Sequence, residues 1–128
     1  NNLGSGNPQT DDGPLPEMLP KVESMFASAD ALFVCAPEYN GSIPPTLTNT
    51  IAWLSTQSDD FRSLFNGKAV GLATHSGGGG QKVLVAMRLQ FSHLGCNVVG
   101  RELLTNSKKA FRDESAEWIL RQLGRMTT

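Results

Sequence analysis

Short apolar runs alternate with segments of helical period along this chain, and that alternation leaves few folds open. The runs are Ala31-Leu32-Phe33-Val34-Cys35-Ala36, Ala69-Val70-Gly71-Leu72-Ala73-Thr74 and Asn97-Val98-Val99-Gly100. The first does not alternate polar with apolar, so both its faces should be covered, as in a parallel sheet. Pro20 can start a helix, with Val22, Met25, Phe26 and Ala29 on one face. Leu47, Ile51 and Leu54 mark a second helix that ends near Ser55. Val83, Leu84, Met87, Phe91 and Leu94 mark a third, which Gly95 stops. Asp113 can cap a fourth carrying Ala116, Ile119, Leu120 and Leu123, with Gly124 after it. Residues 56–66 are polar, with Phe61, Leu64 and Phe65 as anchors. Helix, strand, helix, strand, helix, strand, helix is the order of an α/β fold with a parallel sheet and helices on both faces.

At 128 residues, a length that can bury about two thirds of its unfolded surface, this is one domain at most. Residues 1–14 are polar and turn-forming and read as a loop or leader, with the domain running over 15–128. A formal net charge of -1 supplies no basic field for nucleic acid or anionic lipid. No apolar run approaches the roughly 20 residues that span a bilayer. The two cysteines, Cys35 and Cys96, form no Cys-x-x-Cys pair. They read as buried thiols of a reduced, cytoplasmic protein.

Two loops stand where open α/β sheets hold ligands, after the carboxyl ends of successive strands. The first is Pro37-Glu38-Tyr39-Asn40-Gly41-Ser42-Ile43-Pro44; Pro44 and Pro45 fit a helix start, with Ser42 a cap nearby. The second is His75-Ser76-Gly77-Gly78-Gly79-Gly80. Each opens a helix, whose first N–H groups and positive dipole end suit an anionic or electron-rich ligand. Four glycines let backbone approach a flat ligand closely, although a flexible turn explains them as well. Their spacing matches neither the Walker phosphate loop nor the Gly-x-Gly-x-x-Gly fingerprint. Glu38 has the chemistry of a general base, but no second carboxylate, Ser–His or Cys–His set accompanies it; such a Glu more often orients a loop or faces solvent. Tyr39, the one tyrosine, can stack on a planar ligand or simply pack. Asn40 and Gly41 tolerate positive φ. His75 is placed to touch a ligand, whereas His93 reads as structural. Trp53 fits core packing or a subunit interface. No cluster has metal-ligand spacing.

Residues 37–44, followed by Leu47, Asn49, Ile51, Trp53, Leu54 and Ser55, resemble the NADPH-dependent FMN reductase family, whose pattern runs approximately P-E-Y-N-x-S-I-P-G-x-L-K-N-A-I-D-W. Gly67-Lys68, the apolar run after it, the glycine loop and a helix ending Leu94-Gly95 are similar to the family as well. The resemblance covers about residues 15–123. It implies a flavodoxin-like three-layer sandwich and FMN at the carboxyl edge of the sheet. Pro37, Glu38, Tyr39, Asn40, Gly41 and Ser42 would lie along the isoalloxazine ring, and His75, Ser76, Gly77, Gly78 and Gly79 would cover another edge. The implied reaction is ping-pong hydride transfer from NADPH or NADH through the flavin to a quinone, azo compound, metal oxyanion or free flavin. A homodimer or homotetramer is implied too.

The chain departs from the family at Pro45, Thr48 and Ala52, where Gly, Lys and Asp are frequent. Pro45 is sound in a first helical turn, so the helix should survive. The larger departure is at the front: nothing matches the family's first strand and its phosphate-gripping loop. The expectation is therefore an N-terminally truncated domain, with residues 31–36 left as an exposed apolar edge and weak FMN binding by this stretch alone. The competing expectation is a non-catalytic flavodoxin-like interaction module that has lost its cofactor.

Overall fold

A computed structural model describes residues 17–127. The elements follow the order α1 (Leu19–Ser28), β1 (Ala31–Cys35), α2 (Pro45–Ser55), β2 (Ala69–Ser76), α3 (Gln81–His93), β3 (Asn97–Asn106) and α4 (Asp113–Met126). The strands form one parallel sheet in the order β1-β2-β3. The polar stretch 1–14 lies outside the described residues.

Side-chain alternation sorts the sheet into two packed layers. Leu32, Val34, Val70 and Leu72 point to the face covered by α1, α2 and α3, where Phe65, Val83, Leu84, Met87 and Phe91 complete a core. Ala31, Phe33 and Ala69 point to the other face, against Ile119 and Leu123 of α4. Helix α4 comes so close that a Cβ on Gly71 would stand 2.7 Å from Ile119 Cγ2. This is the flavodoxin-like α/β sandwich that the resemblance implied. Both faces of β1 are covered as expected, but only partly, because Ala31, Leu32, Phe33 and Val34 are half-buried. Among the described residues no strand pairs with the outer edge of β1. Cys35 at its end is exposed, so the expectation of two buried thiols holds for Cys96 alone.

Local chemistry explains the ends of the elements. Pro44 and Pro45 begin α2 as expected, although Ser42 makes no cap bond. Helix α3 ends in a Schellman arrangement: Cys96 N–H donates to Phe91 O at 3.0 Å and Gly95 N–H to Ser92 O at 3.0 Å. Gly95 takes φ 88°, which a side chain would strain. Lys68 Nζ donates to Phe26 O at 2.6 Å and Ala29 O at 2.8 Å, placing a cation at the carboxyl end of α1. Two helical faces are narrower than the periodicity predicts, for Met25 and Leu120 are exposed. Asp113 is the first residue of α4 rather than its cap, and the helix runs through Gly124. Phe65 is buried, whereas Phe61 is exposed and stacks on His93 at 5.9 Å.

Strand β3 is longer than its apolar run. Ala69 pairs with Asn97 and Val70 with Val98, but Leu72 pairs with Glu102, so β3 carries two extra residues around Gly100. A bulge of this kind leaves a carbonyl out of the ladder. Arg88 of α3 meets it: Nη2 donates to Val99 O at 2.7 Å, and Nε donates to Glu102 Oε2 at 2.9 Å. Gly100 looked like the end of a strand and is instead the place where it slips.

Candidate functional site

The carboxyl edge of the sheet gathers the two predicted loops and adds a third. Strand β1 delivers residues 37–44, β2 delivers 77–80, and β3 delivers 106–109. His75 and Ser76 belong to the last turn of the β2 ladder, paired with Thr105 and Asn106, rather than to the glycine loop. That assignment fixes where their side chains go. His75 is exposed at the edge, and Ser76 is buried with 3% of its surface accessible.

The first loop is a two-residue hairpin. Tyr39 N–H donates to Ser42 O and Ser42 N–H to Tyr39 O, each at 3.0 Å. Asn40 and Gly41 between them take φ 52° and 75°, the positive values that an Asn-Gly pair accepts at low cost. The turn lifts Tyr39 from the body with 55% of its surface exposed. Lys82, in the first turn of α3, lies against the hairpin: a Cβ on Gly41 would come 3.3 Å from its Cδ.

Glu38 locks the first loop to the second. Its Oε1 accepts from Ser76 Oγ at 2.9 Å and its Oε2 from Val83 N–H at 3.3 Å. Ser76 Oγ accepts in turn from Gly78 N–H at 3.0 Å. The start of α3, expected to offer its N–H groups outward, thus has a carboxylate of the chain itself on one of them. Both oxygens of Glu38 are engaged in holding loops, which matches the orienting role weighed for it.

The glycines divide by surroundings. Gly80 takes φ 88°, and a Cβ there would meet Leu104 Cδ1 at 2.4 Å. Gly77 and Gly79 have nothing within 4 Å of the same position. Gly80 is needed by the fold; Gly77 and Gly79 keep a surface open. Asn106 Nδ2 donates to Gly79 O at 3.2 Å and ties the loop to the end of β3.

His75 Nδ1 and Thr105 Oγ1 are 2.7 Å apart, and Thr105 Oγ1 donates to Thr74 O at 3.3 Å. His75 borders a cavity of about 360 Å³ with Cys35, Ala36 and Pro37. Partial desolvation by its neighbours raises the Cys35 thiol above its ordinary range even though the residue as a whole is exposed. Neither Asn106 nor Lys108 and Lys109 stood out in the sequence, because their place depends on how far β3 extends. His93 lies away from this edge beside Phe61, and Trp53 is buried within α2. Among the described residues no group of His, Cys, Asp and Glu could hold a metal ion, and no helix is long and apolar enough to cross a membrane.

Several solved flavoenzymes share this architecture. The NAD(P)H:acceptor oxidoreductase FerB of Paracoccus denitrificans superposes with a TM-score of 0.69 at 17% identity, over 98% of this chain and 75% of that one. The apo form of the NADH:FMN oxidoreductase EmoB gives 0.64 at 16% identity, over 98% and 67%. General stress protein 14 of Treponema denticola, in complex with FMN, gives 0.58 at 18% identity, over 84% and 72%. At these identities the likeness is one of fold, and the chain spans part of each protein's length. No curated protein gives a significant match. The NADPH-dependent FMN reductase model matches residues 3–110, and with most of the sequence inside that match the chain belongs to the NADPH-dependent FMN reductase family.

Proposed function

We propose that this chain supplies the ring-binding wall of an FMN-dependent NAD(P)H oxidoreductase. The carrying observation is the Glu38 brace, which holds two glycine-bearing loops together at one sheet edge. The residues present fit a flat heteroaromatic ring. Gly77 and Gly79 leave open space where a Cβ would stand, and Pro37 and His75 border a cavity beside them. Tyr39 is exposed on a rigid turn above the same edge.

In this reading Pro37, Tyr39, Asn40, Gly41 and Ser42 present backbone and the tyrosine ring to one side of the flavin. His75, Gly77, Gly78 and Gly79 present a second side. Glu38 and Ser76 serve from behind, because their polar atoms are committed to each other and to Val83 and Gly78. When bound, FMN supplies hydride acceptance from NADPH or NADH and delivery to a quinone, azo compound, metal oxyanion or free flavin. The chain's own task is to orient the ring, exclude water from one face and direct loop amides at developing negative charge. Two free thiols suit a cytoplasmic setting. A homodimer or homotetramer belongs to the same proposal, supported by the apolar groove of about 700 Å³ that Ile51, Ala52, Phe61, Ala86 and Leu89 line between α2 and α3.

The intact protein is expected to purify yellow and to oxidise NADPH when an acceptor is present. A colourless protein that leaves NADPH unconsumed even with added FMN overturns the proposal and favours an interaction module.

A further inference from the structure

The end of β3 folds back on itself beside the glycine loop. Asn106 N–H donates to Lys109 O at 3.0 Å and Lys109 N–H to Asn106 O at 3.1 Å, closing a tight hairpin around Ser107 and Lys108. The Asn106 side chain stiffens both partners. Its Oδ1 accepts from Lys108 N–H at 2.9 Å, and its Nδ2 donates to Gly79 O at 3.2 Å. Between hairpin and glycines lies a cavity of about 440 Å³, lined by residues 77–79 and 106–109. No Asp or Glu lines it. Neither Lys108 nor Lys109 forms an ion pair among the described residues, although the chain's overall charge is slightly negative.

We infer that Lys108 and Lys109, together with the backbone of residues 77–79, form a binding site for the phosphate monoester of a nucleotide. The ligand chemistry follows from the donors. Two ammonium groups, the Ser107 hydroxyl and glycine backbone supply more positive charge and more donors than a carboxylate can accept. A dianionic phosphate with three terminal oxygens uses them all. Gly77 and Gly79 have no Cβ and open space at its position, so a phosphate can reach the main chain there. The pinned hairpin means little ordering remains to be done on binding. That the ligand is a nucleotide rests on the oxidoreductase proposal, whose chemistry uses two phosphorylated nucleotides. The phosphate is the 2′-phosphate that separates NADPH from NADH, because the resemblance gives the flavin's own phosphate to a loop beyond the outer edge of β1, and the hairpin ends β3 on the opposite side of the sheet.

Calorimetric titration of the intact protein tests the assignment. In one arm 2′,5′-ADP is compared with 5′-AMP; in the other, FMN is compared with riboflavin. 2′,5′-ADP is expected to bind at least about tenfold tighter than 5′-AMP, the equivalent of one good charged contact. K108A/K109A should erase that preference and K108R/K109R should keep it, and the preference should shrink as salt rises. Loss confined to the first pair assigns the site to the dinucleotide; loss confined to the second overturns the inference. If the double alanine variant leaves both ratios unchanged, the inference is overturned. Failure to bind riboflavin and FMN alike counts against the flavin proposal, while the 2′,5′-ADP arm still decides the phosphate site.

Discussion

Glu38 and Ser76 stand 38 positions apart and meet at 2.9 Å, hydroxyl to carboxylate, across the carboxyl edge of the sheet. Three loop segments depend on that pair, because the same carboxylate holds Val83 N–H and the same hydroxyl holds Gly78 N–H. Glu38→Ala removes an acceptor from a buried hydroxyl and from a helix-start amide. It should destabilise the fold by about 1–3 kcal/mol in chemical denaturation. Glu38→Gln, which keeps one acceptor oxygen, should lose less than the alanine variant. Equal stability of Glu38→Ala and the parent chain would remove the brace from the account.

Neighbouring glycines should respond in opposite ways. Gly80→Ala forces a side chain into φ 88° and against Leu104 Cδ1, and should destabilise by about 1–3 kcal/mol. Gly79→Ala meets no atom within 4 Å and should shift stability by less than about 0.5 kcal/mol. Flavin titration is the readout that Gly79→Ala should move, since the added methyl occupies the open surface. Matched thermal melts and fluorescence titrations of the two variants check both halves.

Burial pushes the Cys96 thiol up to about 11 from 9.0, against the opposing pull of Lys68. The folded state thus favours the neutral thiol. Below pH 9 folded and unfolded chains are both protonated at this site and the contribution is intact. Between pH 9 and about pH 11 the unfolded chain has released the proton that the folded chain still holds, so stability falls as pH rises. The fall should be on the order of 2 kcal/mol across that window. Denaturation midpoints taken from pH 8 to 11 should show a shallower decline for Cys96→Ala than for the parent chain.

Lys68→Met keeps the aliphatic stem and deletes the charge that holds Phe26 O and Ala29 O. A loss of about 2 kcal/mol is expected, read by urea denaturation. Hydrogen exchange should place the effect in α1, with faster exchange in its last turn than in α3.

What could be read from the chain alone was what depends on neighbours in sequence. The helix stop at Gly95, the Pro44-Pro45 start of α2 and the positive-φ pair Asn40-Gly41 are local choices, and all three stand in the structure. The family motif added the sandwich that these elements build. Long-range pairings were not legible. Ser76 reads as part of the glycine loop, and only its ladder partner Asn106 places it in β2. The polar Arg101 and Glu102 hid the second half of β3, because Arg88, which accounts for Glu102, is 14 positions away. Lys108 and Lys109 were invisible as site residues for that reason. Met25 and Leu120 have the right period for burial, but among the described residues both stay exposed.

The slip at Gly100 reaches beyond its own strand. The pairing of Ala69 with Asn97 becomes, after the slip, the pairing of His75 with Thr105 and Ser76 with Asn106. Without the two surplus residues His75 would pair with Leu103 instead. An even slip preserves which face each side chain takes, so both cores would tolerate its deletion. The rim would not, since the lysine hairpin would shift along the strand axis by about 6–7 Å. Length at this one position is therefore an evolutionary dial: the fold carries on through an insertion or deletion of two residues, while the electropositive ledge advances toward the glycines or withdraws from them.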